Sequence, residues 1–565
     1  MSSRNSLGKA RASRRAAMGL AALYAAGTFG SGCLRPEQHV RQADDEVYRI
    51  LDDKWDARFG EKVDYALAAP DSAPNEPVRS GPLRLARAVA VATRQNRSYQ
   101  RQKELLYSQA LALTLARHQF ARRWLATLNA EYARDADDEG VGAAAAVGFD
   151  RALADGAQVG VGIALAWLEY LTGDPRSSLT TVLSASMTQP LLRGFGRKVA
   201  QEGLTQAERD TLYQIRSFHR FRKTFVVSIV TDYFGVLQAL DRVENDRLNY
   251  ENLRANQRRV EMMADTGRVP QFQAGEVRQS ALRALDEYTR SRETYEASLD
   301  HFKVRLALPA DAEVSLDPNE LKALEAAGVA EPNAPLDRAV ETALALRLDL
   351  ANTRDAVDDA RRKVDVAADA LQAELNLTAR ASVPSTDPRD ATRLQFHKGS
   401  YGVGLDVDLP LDRKRERNAY REALIALADE KRTHDEQTDQ VRLDVRQAHR
   451  DLSEAHTSYQ IQRTSLKLAE KRVDMQSILL QEGRATARSY LDAQEDLVRA
   501  QNAKTAALVD YTLASLRFYR DVGLLHVLPD GMWKMPDKRV LRRGAGEADP
   551  PGPSTRPAKI EPRKD

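Results

Sequence analysis

Residues 184–198 read SASMTQPLLRGFGRK: an alternating run, a proline, two glycines one residue apart, then two bases. Backbone N–H groups at a Gly-rich helix start bind anions, so this stretch raises nucleotide chemistry. The dinucleotide fingerprint needs a third glycine, however, and the P-loop needs Gly-Lys-Ser/Thr. Here Gly194-Phe195-Gly196 runs into Arg197-Lys198-Val199, and both patterns fail. His449 and His456 stand seven residues apart, and no His, Glu or Cys set has zinc spacing. Gly-x-Ser-x-Gly is absent, and carboxylates such as Asp359 and Glu482 are scattered through charged segments that read as solvated helix faces. The sequence therefore predicts no catalytic, cofactor-binding or metal-ligating residue, and the chain does not read as an enzyme.

Composition narrows the classes that remain. Eighty-four Lys and Arg against 81 Asp and Glu leave a net charge of +3 over 565 residues, without the concentrated basic surface of a nucleic-acid binder. Aromatic residues are only 6%, and the abundance of Ala, Arg, Leu, Glu and Asp suits long helices. No run of about 18 apolar residues offers a transmembrane helix. The N-terminus has a signal-peptide layout: bases at Arg4, Lys9, Arg11, Arg14 and Arg15, then the apolar stretch Ala16 to Phe29. Gly30-Ser31-Gly32-Cys33 follows, and small residues before a cysteine resemble a bacterial lipobox, although Gly30 stands where Leu is usual. Cys33 is thus the candidate lipidation site, the other reading being an ordinary cleaved signal with an incidental cysteine. Leu34 after it, where Asp would mark inner-membrane retention, favours export to the outer membrane.

Two regions repeat one order of parts, the first opening at Leu83 and the second at Leu336. Each begins helical, passes through alternating segments to a proline-leucine pair (Pro190-Leu191, Pro410-Leu411), continues as a long helix, breaks at a glycine and returns. From proline to glycine the halves span 77 residues (190 to 267) and 73 (410 to 483); from opening leucine to proline, 107 (83 to 190) and 74 (336 to 410). An internal duplication of this kind governs the whole reading. Asp412 to Glu482 contains neither Gly nor Pro. Steps of four and three from Val441 through Val445, Ala448 and Leu452 to Leu480 meet apolar or aromatic residues at ten of twelve positions, a coiled-coil seam. Val226, Ile229, Tyr233, Val236, Leu240 and Val243 keep the same spacing in the first half. At 1.5 Å per residue such helices are roughly 100 Å long, the reach of a device crossing the periplasm.

The alternating segments include Tyr401 to Leu409, Leu375 to Val383, Trp124 to Tyr132, Val159 to Trp167 and Leu179 to Gln189. Apolar-out, polar-in strands of about ten residues suit a transmembrane β-barrel, and equally an ordinary half-buried hairpin. Two or three hairpins per chain are too few for a channel, so several chains must share the barrel. The domain division that follows is signal peptide 1–32, N-terminal linker or equatorial segment 33–80, first repeat 81–309, linker 310–334, second repeat 335–525, and a disordered tail 526–565.

The doubled order, with the stretches TQPLLRGFGRKVA and GLDVDLPLDRKRERN and the breaks at Gly267 and Gly483, resembles the outer-membrane efflux (TolC-like) family from about Gly81 to Gly523. The resemblance implies a mainly α fold with a β-barrel portion: duplicated coiled-coil helical hairpins and strand hairpins forming a trimeric outer-membrane β-barrel with a periplasmic α-helical tunnel. It implies a homotrimer in outer-membrane lipid, working with a periplasmic adaptor and an inner-membrane pump as the passive exit duct of an efflux or secretion system. No cofactor is implied. Two hairpins per chain would give twelve strands; the residues around Gly140 to Thr172 then add a hairpin or, as the symmetry of the halves favours, an external loop. The glycine breaks become the periplasmic tips, with Gly267, Arg268 and Val269 and Gly483, Arg484 and Ala485 as adaptor-docking residues, or as hairpin turns alone. Where better-known members carry a latching arginine and two aspartates after the second glycine, this chain has Ala485, Ser489 and Asp492, and Gln273 stands at the matching place after the first. Only Asp492 matches, as a candidate gate and cation ring. The proline-leucine pairs become strand-to-helix joints at Pro190, Gly194, Gly196 and Pro410. The alternative is a non-conducting coiled-coil lipoprotein that spaces the envelope layers, which leaves the paired strands unexplained. The transported substrate is not legible in the sequence.

Overall fold

A computed structural model describes residues 35–56, 65–67, 81–134, 139–170, 177–330, 335–387, 390–409, 411–482, 484–528 and 532–534. The signal segment, Cys33 and the chain from 535 onward lie outside these residues. The duplication is visible in element lengths. Helices α2 (Leu85–Gln95) and α3 (Arg97–His118), of 11 and 22 residues, precede strands β1 (Arg123–Arg134), β2 (Glu139–Ala152), β3 (Gln158–Tyr170) and β4 (Ser177–Pro190). Helices α4 (Glu202–Asp265) and α5 (Gln271–Arg305) follow, with 64 and 35 residues. In the second half α7 (Leu336–Leu346) and α8 (Leu348–Asp369), again of 11 and 22 residues, precede β5 (Glu374–Asp387), the short β6 (Asp390–Leu394) and β7 (Ser400–Asp408). The long hairpin of α9 (Lys414–Gln481) and α10 (Ala487–Val522), of 68 and 36 residues, completes the repeat. Outside the repeats are α1 (Pro36–Asp53) and α6 (Asn319–Ala327).

Strand content departs from the expectation at one place. Residues 139–152 and 158–170, within the region read as an external loop, are two full strands of one antiparallel sheet. The order is β1-β2-β3-β4-β5, with β7 and β6 both on β5. One strand of the pair, Val159 to Trp167, alternates in the sequence, but in the other GVGAAAAVG puts Gly or Ala on one face and Ala or Val on the opposite one, which erases the alternation in polarity while leaving the ladder intact.

The long helices bury one seam each. In α9, Val441, Val445, Ala448, Leu452 and Tyr459 are buried at the spacing of four and three; in α4, Val226, Ile229, Tyr233 and Val236 are buried likewise. Alanines 88 and 92 of α2 pack on α4 as Ala339 and Ala343 of α7 pack on α9, so each repeat builds its own core around a small-residue helix. One window of α4 is long and apolar enough by composition to cross a bilayer, contrary to the sequence expectation. Its surroundings hold Phe225, Val226, Ile229 and Val230 in the protein core instead.

Segments read as connectors also take part in the core. Helix α1 contributes Val47 and Leu51, and Lys54 pairs with Glu208 at 2.5 Å. The inter-repeat linker returns to the first repeat: the Leu83 N–H donates to the Ser315 carbonyl at 2.7 Å, and the Tyr233 hydroxyl donates to the Leu83 carbonyl. The start of the expected tail is ordered too. Strands β8 (His526–Val527) and β9 (Trp533–Lys534) pair, and Leu525 and Val527 enter the core.

A polar clamp joins the repeats where α4 crosses α8. Asp359 of α8 is buried and accepts from Tyr213 at 2.6 Å and from Arg362 at 2.7 Å, with Arg209 at 2.9 Å. Asp359 is therefore not the solvated carboxylate the sequence suggested. Burial alone would push its carboxyl up; the Tyr213 and Arg362 hydrogen bonds and the Arg209 charge outweigh that and hold it below its ordinary value. A depressed carboxyl stabilises the fold above the unfolded value of 3.8 and ceases to do so as pH falls through the lower folded value. Asp359→Ala should cost about 2–3 kcal/mol, read as a lower thermal midpoint of the detergent-solubilised protein near neutral pH. The gap between variant and wild type should shrink when both are measured well below pH 4.

Candidate functional site

Cross-strand register fixes which side chains share a face of the sheet. Trp124, Phe149, Val161, Ala185, Ala381 and Tyr401 lie in one row across β1, β2, β3, β4, β5 and β7. The rows alongside it carry Leu128, Val147, Ile163, Leu183, Met187, Val403 and Leu405. Trp124, Leu128, Tyr132, Ile163, Val403 and Leu405 are all exposed, so this face presents large apolar groups to its surroundings. The opposite face carries Arg123, Glu131, Asp150, Ser184, Arg380 and Asp406, interspersed with Gly and Ala. An apolar outer face with a polar inner one is the pattern of a lipid-facing barrel wall. Counted along each strand from its helix-side end, Trp124 and Phe149 stand near the start and Tyr132, Trp167 and Tyr401 near the far end, the cross-strand row being inclined to the strand ends.

The joints lie at the helix-side edge of this sheet. Pairing of β4 with β3 reaches Gln158↔Thr188, and Pro190 stands just beyond it, where a missing N–H costs nothing on that side. On the other side the ladder does not stop at Pro190: the Leu191 N–H donates to the Leu375 carbonyl at 2.7 Å. Gly194 and Gly196 have φ of 80° and 96°, the left-handed region that favours glycine, and one helical turn, Arg197–Ala200, follows. The Gly194 N–H is bound by the Asp369 carboxylate at the end of α8, at 2.7 Å. Nothing marks the stretch for phosphate: its amides are taken up by the protein itself. In the second joint Asp412 accepts from the Lys414 N–H at 3.0 Å, and Arg413 reaches the Leu371 carbonyl. Pro410 lies outside the described residues.

The turn between β2 and β3 packs onto the first joint, a contact with no signal in the sequence. The Gly196 N–H donates to the Asp155 carbonyl at 3.0 Å. Gly156 has φ of 98°, and a Cβ there would stand 2.6 Å from the Gly194 carbonyl oxygen and 3.1 Å from Pro190. Ala157 is wholly buried.

At the far ends of the long helices, the first tip closes as a Schellman motif. The Gly267 N–H (φ 74°) donates to the Ala264 carbonyl and the Arg268 N–H to the Met263 carbonyl. Val269 packs inward against the cluster formed by Val260, Ala264, Ala274 and Val277. Gly483 lies outside the described residues, but the Arg484 N–H donates to the Leu479 carbonyl at 2.8 Å, the equivalent bond. Thr486 caps α10 through the Ser489 N–H, and Ala487 and Leu491 join the same apolar cluster, so the two tips pack side by side. Arg488 and Glu276 approach to 3.8 Å across them, both partly exposed. Asp492 is exposed one turn above, beside buried Leu491 and Ala493.

Residues 339–524 match the family model described as outer membrane efflux protein. The match covers the second repeat, about a third of the chain. No curated protein matches it in sequence. Among solved structures, the fold of this chain is similar to the CmeC outer membrane channel of Campylobacter jejuni, at 14% identity, TM-score 0.55, covering 80% of this chain and 87% of that one. It is likewise similar to the outer membrane protein VceC of Vibrio cholerae (13%, 0.55, 78% and 96%) and to the open-state MtrE outer membrane channel of Neisseria gonorrhoeae (14%, 0.54, 78% and 89%).

The fold separates the residues singled out in the sequence into three levels: joints at the sheet edge, tips at the opposite end, and Asp492 just above the tips. Among the described residues no cluster of three potential metal ligands occurs. The most perturbed imidazole, His219, is lowered to about 3 by burial and by Arg222 and Lys223, and it sits in the core against Tyr65. Two outcomes are expected. Gly156→Val, placing a side chain where only 2.6 Å is open, should displace the turn from the joint and lower the heat stability of the assembled protein by several degrees. Asp492→Asn should weaken block of single-channel current by divalent cations by severalfold; unchanged block would remove Asp492 from the conduction path.

Proposed function

We propose that three copies of this chain form the outer-membrane exit duct of a tripartite efflux or secretion system. The observation that carries the reading is a sheet with one continuous apolar face, fused at one edge to helical hairpins roughly 100 Å long. Lipid requires a closed sheet whose outward face is apolar, and hairpins of this length extend from such a sheet across the periplasm. An inner-membrane pump loads the solute, a periplasmic adaptor engages the tips, and the solute diffuses outward through the bore without covalent chemistry. Gly267, Arg268 and Val269 and Gly483, Arg484 and Ala485 form the rim that meets the adaptor, and Asp492 forms a ring of like charges inside it. Acylated Cys33 adds a lipid anchor in the outer membrane.

The test is electrical. The purified full-length protein in a planar bilayer should give discrete current steps with preference for cations. A protein that inserts yet opens no step would be a spacer between envelope layers, and the duct reading would fall. In cells, deleting the gene should raise accumulation of the substrate of the partner pump while the pump remains present at its normal level.

A further inference from the structure

We propose that the β2–β3 hairpin is a membrane-spanning part of the barrel wall, so that the exit closes with six long strands from each chain, eighteen in a trimer, rather than four. The proposal rests on the trimeric duct reading for the number of copies. It rests on this chain alone for the strands.

Four observations place the hairpin in the wall. It is inserted between β1 and β4, with unbroken ladders on both sides: Arg123↔Asp150 to Arg134↔Glu139 on one, Gln158↔Thr188 to Glu169↔Ser177 on the other. Folding it out as a loop would break both. At 14 and 13 residues its strands match β4 and β5, at 14 each, and exceed the nine to eleven residues a tilted strand needs to cross lipid. Its outward residues, among them Val147, Phe149, Ile163 and Trp167, continue the apolar face of β1 and β4 without interruption. Its turn is seated on the joint through Asp155 and Gly156, so its helix-side end is anchored at the same level as the others.

Closure needs a partner for each free edge. Among the described residues β1 pairs only with β2, and β7 only with β5. Six strands cannot enclose water, since eight already fill their interior with side chains. β1 runs away from the helices and β7 toward them, so β1 of one copy meets β7 of the next antiparallel. Their inner faces are complementary at the helix-side end, where Arg123 of one strand comes level with Asp406 and Asp408 of the other. At a strand spacing near 4.8 Å and a tilt of about 40°, eighteen strands give a backbone diameter of about 36 Å, against about 24 Å for twelve. The inward residues in the middle of the hairpin are Gly or Ala, from Gly142 to Gly148 and from Gly160 to Ala166, and intrude little on that bore, while Asp150, Gln158 and Leu168 stand toward its ends. The exit then passes bulky cargo, and size selection falls to the helical tube and tips.

Electron cryomicroscopy of the full-length protein from outer membranes should show a three-fold ring with eighteen strands, β2 and β3 among them. Twelve strands, with β2–β3 outside the wall, would overturn the proposal while leaving the duct intact. Failure of the same preparation to open any pore would count against the duct itself. The seam is tested by Arg123→Cys combined with Asp408→Cys, oxidised in the membrane beside each single variant. Covalent dimers and trimers are expected from the pair alone; a bond confined to one chain would overturn closure between copies. As a third measurement, neutral polymers added from the extracellular side should enter the wild-type mouth at sizes excluded once residues 135–174 are deleted and β1 leads directly into β4. If that deletion variant does not assemble, the strand count still decides.

Discussion

Hydrocarbon offers no partner to a peptide group, and on the proposed reading that constraint orders everything at the sheet end of this molecule. Each strand must be flanked on both sides, must expose apolar groups outward, and must return the chain to the side where its helices begin. Within one chain the sheet meets the first demand for β2, β3, β4 and β5 through an uninterrupted antiparallel order, and the second through a register that keeps Trp124, Phe149, Val161, Ala381 and Tyr401 on one face. The third fixes strand parity. Strands enter in pairs, so the extra hairpin leaves from the side away from the helices, turns at the helix side and returns, and α4 starts where it would have started without it.

The helical end obeys a different constraint, because water can satisfy exposed polar groups and only the seam must be apolar. Specificity there comes from a few polar residues inside the seam. Asn245 donates to Asn502 at 2.9 Å, and Thr505 donates to Asp241 at 2.7 Å, where α4 faces α10. Such pairs fix the axial alignment of helices whose apolar repeats alone would allow sliding by a heptad. The Asp359 clamp does the same between α4 and α8. Together they hold the two repeats in step from the joint to the tips.

Helices and turns were legible in the sequence because their signals are local. The absence of Gly and Pro between Asp412 and Glu482, the seam from Val441 onward and the glycine at position 267 each state a structure within a few residues. The joint was legible by comparing the repeats, since VDLPLDRKRERN lacks the glycines that a phosphate loop would have to keep. What failed was the second strand pair. Leu375 to Val383 alternates with Asn, Thr, Arg and Ser, but Gly140 to Gly148 alternates between small residues and slightly larger ones, a difference in volume that polarity does not reveal. The seating of Gly156 on Gly194 was hidden for another reason: it joins residues 38 positions apart whose own glycines explain nothing until the surfaces meet. Asp359 was misread because burial is decided by the neighbouring helix and not by its own charged surroundings.

The joints also determine how movement could pass between the two ends. β1, β4, β5 and β7 each run into a helix through a few residues, whereas β2 and β3 end in a turn of their own. A rotation of the helices about the long axis would be handed directly to four strands of each chain. The remaining pair feels it only through the contact of Asp155 and Gly156 with the joint. If the strands close as proposed, the wall contains a section with no rigid rod beneath it, able to absorb shear between its neighbours, so that the tube below can twist while the ring keeps its circumference.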